Sequence, residues 1–180
     1  GLVVCDPVEP HCDLGPLIDS DAVSRVTRAI AQGRSSTTRL FHYPAQRLPV
    51  EGYFVGPTLL AGVDPRSPPA QEELFGPVVC VLSARNFSEA IALANDTDYG
   101  LTGGVYSRSP SHIQEAIESF HVGNLYINRP ITGAIVGRQP FGGYKGSGLG
   151  TKAGGPDYLL QMVLPKTICE NTARHGIPLE

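Results

Sequence analysis

The sequence has no basic block. Seventeen acidic residues against fourteen basic ones leave a formal net charge of −3, with no cation cluster to neutralise a phosphate backbone, so nucleic acid is excluded as an expected partner. It also lacks any uncharged apolar run near the roughly 18 residues that a membrane span requires, and residues 1–15 carry no basic-then-apolar leader pattern. The expectation is a soluble, cytoplasmic chain with no membrane association. Charge is sparse at 17% beside 41% hydrophobic residues, a balance that argues against disorder and suits one domain of 180 residues able to bury a core. Cysteine is scarce and unpatterned. Cys5, Cys12, Cys80 and Cys169 lack the close regular spacing of a disulfide framework and read as reduced thiols.

Common chemical signatures are missing too. A phosphate-binding P-loop needs glycine immediately before its lysine, and here Thr151 precedes Lys152. The GSGLGT stretch ends in threonine where a dinucleotide fingerprint needs glycine or alanine. Cys5, His11 and Cys12 have no second Cys/His pair to complete a four-ligand set, so no metal is expected. There is no Gly-x-Ser-x-Gly elbow, and His11, His42, His112, His121 and His175 stand without an obvious nucleophile to activate.

What the chain does have is 21 glycines and 16 prolines, so many turns must hold defined backbone shapes. Between Ser20 and Gly33, apolar Val23, Val26 and Ile30 recur at helical spacing, which predicts an amphipathic helix after a loop over residues 5–19. Residues 34–52 show no period and read as irregular or edge structure. Short apolar runs at 53–63 and 78–84 predict buried strands, separated by a polar loop that ends in EELFGP. A short helix is expected from Ser88, a strand over 103–107, a helix capped by Ser109 and ended by Gly123, and a strand over 124–128. Helices of that length between strands imply parallel pairing with right-handed crossovers. The predicted class is therefore α/β, an open, mostly parallel sheet with flanking helices. Beyond Asn128, nine glycines between Gly133 and Gly155 mark a long loop of the kind that is usually functional. Residues 158–169 predict a last edge strand, open to another chain.

Six segments in order give the sequence a family likeness: GPLID at 15–19, YFVGPTLL at 53–60, EELFGPVV at 72–79, ANDTDYGLTGGVYS at 94–107, GNLYINR at 123–129 and QPFGGYKGSGLG at 139–150. Together they resemble the aldehyde dehydrogenases over nearly the whole chain. NRPITGAIVGRQPFGG followed by KAGGPDYL is similar to the branch that oxidises L-glutamate γ-semialdehyde, the Δ1-pyrroline-5-carboxylate dehydrogenases, and the ending YLLQMVLPKTICENTARHG resembles the form in bifunctional proline-utilisation proteins.

The resemblance implies an NAD-dependent oxidation of that semialdehyde to L-glutamate in proline catabolism, with NADP an open alternative. It assigns Glu73 and Phe75 to the nicotinamide half of the cofactor, where a carboxylate accepts hydrogen bonds from ribose hydroxyls and an aromatic ring flanks the nicotinamide. It assigns Thr132, Gly133 and Ala134 to the substrate α-carboxylate, which glycine-rich backbone can approach closely with N–H donors, and Phe141 to the substrate's aliphatic stem. Arg138 suits a carboxylate by chemistry, but nothing in the sequence aims it there, and a surface position is as good a reading. None of the four cysteines has the setting of the family's nucleophile, which lies before GPLID, so no catalytic residue is assigned. Residues 1–157 are expected to be part of the catalytic domain, with 158–180 a strand and tail for oligomerisation. A missing N-terminal portion is the expected partner, beside a possible second copy of the chain. The alternative is a non-catalytic module that keeps the fold for assembly or binding.

Overall fold

Ala22, Val26, Ala29, Ile30 and Gly33 fall on one side of a helix drawn at 3.6 residues per turn. In a computed structural model, which describes residues 1–49 and 51–171, they are the buried positions of α1 (Ser20–Ser36). The helix starts because the Asp19 carboxylate accepts the Ala22 N–H at 2.7 Å, satisfying one of the donors that a first turn leaves free. It was expected to stop at Gly33, and it continues to Ser36. Gly33 does not cap the helix. It makes room, because a Cβ there would run into the side chain of Leu60, which is fully buried.

The chain forms two compact units, the first of residues 1–98 with 109–120 and the second of 99–108 with the described residues from 121 on. In the first unit, β1 (Arg39–His42), β2 (Thr58–Ala61) and β3 (Val78–Val81) form a sheet with β2 in the centre. β1 runs antiparallel to β2 with Leu40 opposite Leu60, and β3 runs parallel to β2 with Cys80 opposite Leu60. β1 is the edge strand within the segment read as irregular or edge structure. β2 is shorter than the apolar run over 53–63, since Pro57 has no N–H for a ladder and Gly62 turns the chain at φ +71°. Val26, Ile30 and Val55 form the centre of this unit's core, with Leu17, Val23 and Val78 packed around them.

Three more helices belong to this unit: α2 (Pro68–Gln71), α3 (Phe87–Asn95) and α4 (Pro110–Ser119). α3 starts before Ser88 because Asn86 is the cap, accepting the Glu89 N–H at 2.9 Å, while Glu89 reaches back to the Arg85 N–H at 2.5 Å. α4 has the expected Ser109 cap and Pro110 first turn, and it ends at Ser119 rather than Gly123. α3 and α4 are joined by a Phe87–His112 ring stack at 4.3 Å and by Asn95 Nδ2 donating to the Ser119 carbonyl at 2.6 Å.

In the second unit, β4 (Thr102–Val105) and β5 (Asn124–Ile127) pair in parallel, with Gly103 opposite Leu125. The α/β class and its parallel strands stand, but the single open sheet does not. β3 joins β1 and β2, while β4 and β5 form a sheet of their own. Strand alternation sets the order of elements, whereas pairing is a long-range choice among backbone groups that every strand carries alike. The predicted edge strand over 158–169 is also corrected. Tyr158–Met162 is a 3-10 turn that follows Asp157 in right-handed helical backbone, and the described residues 163–171 form no strand. An apolar alternation specifies side chains but supplies no ladder partner, and Leu159, Leu164 and Ile168 stay exposed.

His42 ends β1 with its Nδ1 2.7 Å from the Thr58 hydroxyl, which itself donates to the Gly56 carbonyl at 3.2 Å, so the ring N–H is the donor to Thr58. Burial, with the Arg34 guanidinium adding to it, holds the His42 pKa below its ordinary value of 6.5. The folded chain therefore takes up this proton less readily than the unfolded chain. Stability is full above about 6.5 and falls as pH drops through 6.5 toward the folded value. Urea unfolding from pH 7.5 to pH 5.5 is expected to show a falling midpoint, and His42→Asn to flatten that fall. Leu60→Ala should cost about 2–5 kcal/mol, read as a lower urea midpoint at unchanged slope. Gly33→Ala should destabilise the wild type but lose much of that cost in the Leu60→Ala background, since the two positions share one space.

Candidate functional site

In the first unit the segment from Glu72 to Pro77 leaves α2 and enters β3 between fixed points. The Glu72 N–H donates to the Pro68 carbonyl at 2.8 Å, Arg25 Nε of α1 donates to the Leu74 carbonyl at 3.3 Å, and the Thr58 N–H of β2 donates to the Pro77 carbonyl at 2.9 Å. Between these anchors Phe75 sits at φ +52°, a left-handed backbone that costs a residue with a Cβ about 1–2 kcal/mol. The residue is 78% exposed. A strained backbone that turns an aromatic face to solvent offers a flat apolar surface for a planar ring. Glu73 is exposed beside it, and no described residue hydrogen-bonds its carboxylate.

In the second unit the glycine-rich loop is held by side chains from β5 and its exit. Asn124 donates from Nδ2 to the Pro140 carbonyl at 3.0 Å and accepts the Gly142 N–H on Oδ1 at 3.3 Å. Asn128, in left-handed backbone at φ +54°, accepts the Ser107 N–H at 2.9 Å and donates to the Ser107 carbonyl at 3.0 Å. Arg129 Nη2 donates to the Thr132 carbonyl at 3.4 Å, with its guanidinium 5.1 Å from the Tyr126 ring centre. Phe141 and Ala153 exchange both backbone hydrogen bonds at 2.9 Å, and Lys152 Nζ donates to the Gly123 carbonyl. Gly123 is glycine because the Gly142 backbone occupies the place of its Cβ.

These pins leave a cleft of about 520 Å³ lined by Leu101, Thr102, Tyr126, Ile131, Thr132, Gly133, Ala134 and Phe141. All four residues nominated for the substrate are there. Gly133 has φ +82°, and a Cβ at that position would meet nothing within 4 Å, so conformation rather than crowding requires glycine. The N–H groups of Thr132, Gly133 and Ala134 donate to no described residue, whereas the Ile135 N–H already goes to Gln139 Oε1 at 3.3 Å. Adjacent open N–H groups suit an anion. Sequence reasoning missed Leu101, Thr102, Tyr126 and Ile131. The signal for Tyr126 was its place as the inward residue of a strand that ends beside the loop. Its hydroxyl is buried and has no hydrogen-bond partner among the described residues. Arg138 does not line the cleft and is exposed.

The lining holds no cysteine, histidine or carboxylate; its side-chain polar groups are the hydroxyls of Thr102, Thr132 and Tyr126. Two of the thiols elsewhere are held away from ionisation. Burial pushes the Cys80 pKa up, and the Cys5 thiol is pushed up to about 11, chiefly by its hydrogen bond with Cys12. Among the described residues no group of three or more His, Cys, Asp and Glu could hold a metal ion, and no helix is long and apolar enough to cross a membrane. Glu73 and Phe75 belong to the first unit and the cleft to the second.

Comparison with known proteins gives these groups a context. The aldehyde dehydrogenase family model matches residues 1–168. The 1-pyrroline-5-carboxylate dehydrogenase of Geobacillus kaustophilus is 46% identical over 169 residues, which are 94% of this chain and 32% of that protein. The chain thus spans about a third of the length of the curated relatives it matches. Among solved structures, 1-pyrroline-5-carboxylate dehydrogenase from Thermus with bound NAD is 49% identical at a TM-score of 0.81, with 88% of this chain and 30% of that one covered. Proline utilization A from Bdellovibrio bacteriovorus is 44% identical at a TM-score of 0.87, with 99% and 18% covered. With the family match running over most of its length, the chain belongs to the aldehyde dehydrogenase family.

Proposed function

We propose that this chain supplies the cofactor-gripping and carboxylate-binding parts of a site that oxidises L-glutamate γ-semialdehyde to L-glutamate in proline catabolism. The observation that carries the reading is the cleft in which three adjacent N–H groups have no partner among the described residues and Phe141 stands in the same wall. The substrate has a carboxylate at one end and an aldehyde at the other, joined by a short aliphatic stem. Gly133 and Ala134 donate their N–H groups to the α-carboxylate, and the Thr132 hydroxyl adds a third donor. Phe141 covers the stem and excludes water from it.

The residues present fit NAD in one respect that the geometry makes specific: Phe75 is held in left-handed backbone with its ring exposed, and Glu73 beside it has a carboxylate with open acceptor sites. Glu73 accepts from ribose hydroxyls and Phe75 packs against the nicotinamide. NAD, when bound, accepts the hydride lost by the substrate. Nothing among these residues separates NAD from NADP. Oxidation through a covalent thioester also needs a thiolate and a base. We assign neither to this chain, because the cleft lining holds no cysteine or carboxylate and the Cys5 and Cys80 thiols are shifted away from ionisation.

Binding is tested by titrating the chain with L-glutamate and with 4-aminobutyrate, which lacks the α-carboxylate, while following backbone amide signals. The expected result is a shift of the Gly133 and Ala134 signals by L-glutamate alone; equal responses, or none, would overturn the carboxylate assignment. In an assay of NADH formation from the semialdehyde by this chain together with the portion of the enzyme that carries the thiolate and base, Phe141→Ala should raise the substrate KM roughly tenfold and leave the NAD KM unchanged. Glu73→Ala should do the reverse, raising the NAD KM by roughly tenfold, the loss of one charge-assisted hydrogen bond.

A further inference from the structure

We propose that Cys5 and Cys12 form a redox-sensitive modification site, at which a peroxide closes an intrachain disulfide around residues 6–11. The inference does not depend on the functional reading above, since neither cysteine lines the cleft or flanks Glu73 and Phe75. The backbone brings the two residues together without help from their sulfurs. Val4 and Leu14 form a parallel bridge, the Cys5 N–H donates to the Leu14 carbonyl at 3.1 Å, and the Asp13 N–H donates to the Val3 carbonyl at 3.0 Å. Asp13 Oδ2 accepts the Val3 N–H at 2.8 Å, which ties the same two strands a second time. Between them the chain folds back through two turns, closed by Glu9 N–H to the Asp6 carbonyl at 2.9 Å and by Cys12 N–H to the Glu9 carbonyl at 3.0 Å.

The result is that Cys12 Sγ lies 2.9 Å from the carbonyl oxygen of Cys5 and 3.4 Å from that of Leu14, donating to both. Its sulfur is thus seated against the backbone of the very residue it would bond. Both residues are only half-buried, so a small oxidant reaches them. Cys80 and Cys169 offer no such pair: Cys80 points its thiol at the Pro69 carbonyl at 3.3 Å, and Cys169 is exposed near the end of the described chain.

The chemistry balances with hydrogen peroxide as the oxidant. The Cys12 sulfur attacks a peroxide oxygen, the O–O bond breaks, and water leaves once the departing oxygen has taken a proton, giving a sulfenic acid beside Cys5. The second sulfur attacks that sulfenic sulfur, the S–O bond breaks, a second water leaves, and the S–S bond forms. Two thiols lose two hydrogens and one peroxide is reduced to two waters. The product clips the segment that leads into Gly15 and the Asp19 cap of α1, and a thiol reductant reverses it.

The test treats the full chain with one equivalent of hydrogen peroxide, blocks remaining thiols with iodoacetamide, and digests it with trypsin without reduction. Gly1–Arg25 contains both cysteines and ends at the first lysine or arginine of the chain. The expected product is this peptide two hydrogens lighter than its dithiol form and unalkylated, restored to a doubly alkylated form by prior dithiothreitol, with Cys80 and Cys169 still alkylated. Cys5→Ser and Cys12→Ser should each leave the remaining thiol alkylated or as a sulfenic or sulfinic acid. In guanidinium the selectivity should vanish into mixed pairings among the four thiols. A doubly alkylated peptide after the peroxide is consumed, a sulfinic acid in its place, or preferential linkage of either cysteine to Cys169 would overturn the proposal.

Discussion

A loop without a ladder must still satisfy its backbone polar groups, and that requirement organises the glycine-rich segment after β5. Asn124, Asn128 and Arg129, spaced along the end of one strand and its exit, take the carbonyls and N–H groups of residues that have no regular partner. The Phe141–Ala153 pair and the Gly123–Gly142 approach fix the other side of the loop. What is left over after these bonds is local and specific. The N–H groups of Thr132, Gly133 and Ala134 have no described partner, and they face no Cβ of Gly133 that would narrow the space. The open donors that the proposed carboxylate site uses are what remains of the loop's hydrogen-bonding capacity once its shape has been set.

The first unit stabilises a different surface by a different route. Its core of Val26, Ile30 and Val55 and the fitted Gly33–Leu60 contact hold α1 against β2. α1 then reaches the Leu74 carbonyl through Arg25 and fixes the segment that presents Phe75. The strain at Phe75 is of the order of 1–2 kcal/mol, small beside the several kcal/mol that the buried positions of one helix contribute. A site residue in an unfavourable conformation persists because the surrounding packing determines it.

The helices were the most legible elements, because their signals are local. Apolar spacing gave α1, and the Ser109–Pro110 pair gave the start of α4. The errors came where a second, distant partner decided the outcome. Gly33 looked like a terminator and instead accommodates Leu60; Ser88 looked like a first residue, and the Asn86 and Glu89 side chains had already closed the turn ahead of it. The sheet was legible only as parallel α/β character, since which strands pair depends on long-range contacts that no short window contains. The alternating tail over 158–169 had the side chains of a strand but forms no strand among the described residues, and its first five residues turn instead. At the site, the loop composition and the family likeness pointed to Thr132, Gly133, Ala134 and Phe141, and the structure gathers these four in one cleft. Tyr126 and Arg129 escaped notice because their parts in the site arise from where β5 ends, not from any motif of their own.

The central claim is that Gly133 and Ala134 keep open N–H donors while the loop around them is bonded, and amide hydrogen exchange reads this directly. The account predicts fast exchange at Gly133 and Ala134 and protection at Gly137, Phe141 and Gly142 in the free chain, with L-glutamate slowing the first two and leaving the other three unchanged. Protection at Gly133 and Ala134 without ligand, or exchange there that L-glutamate does not alter, would contradict it.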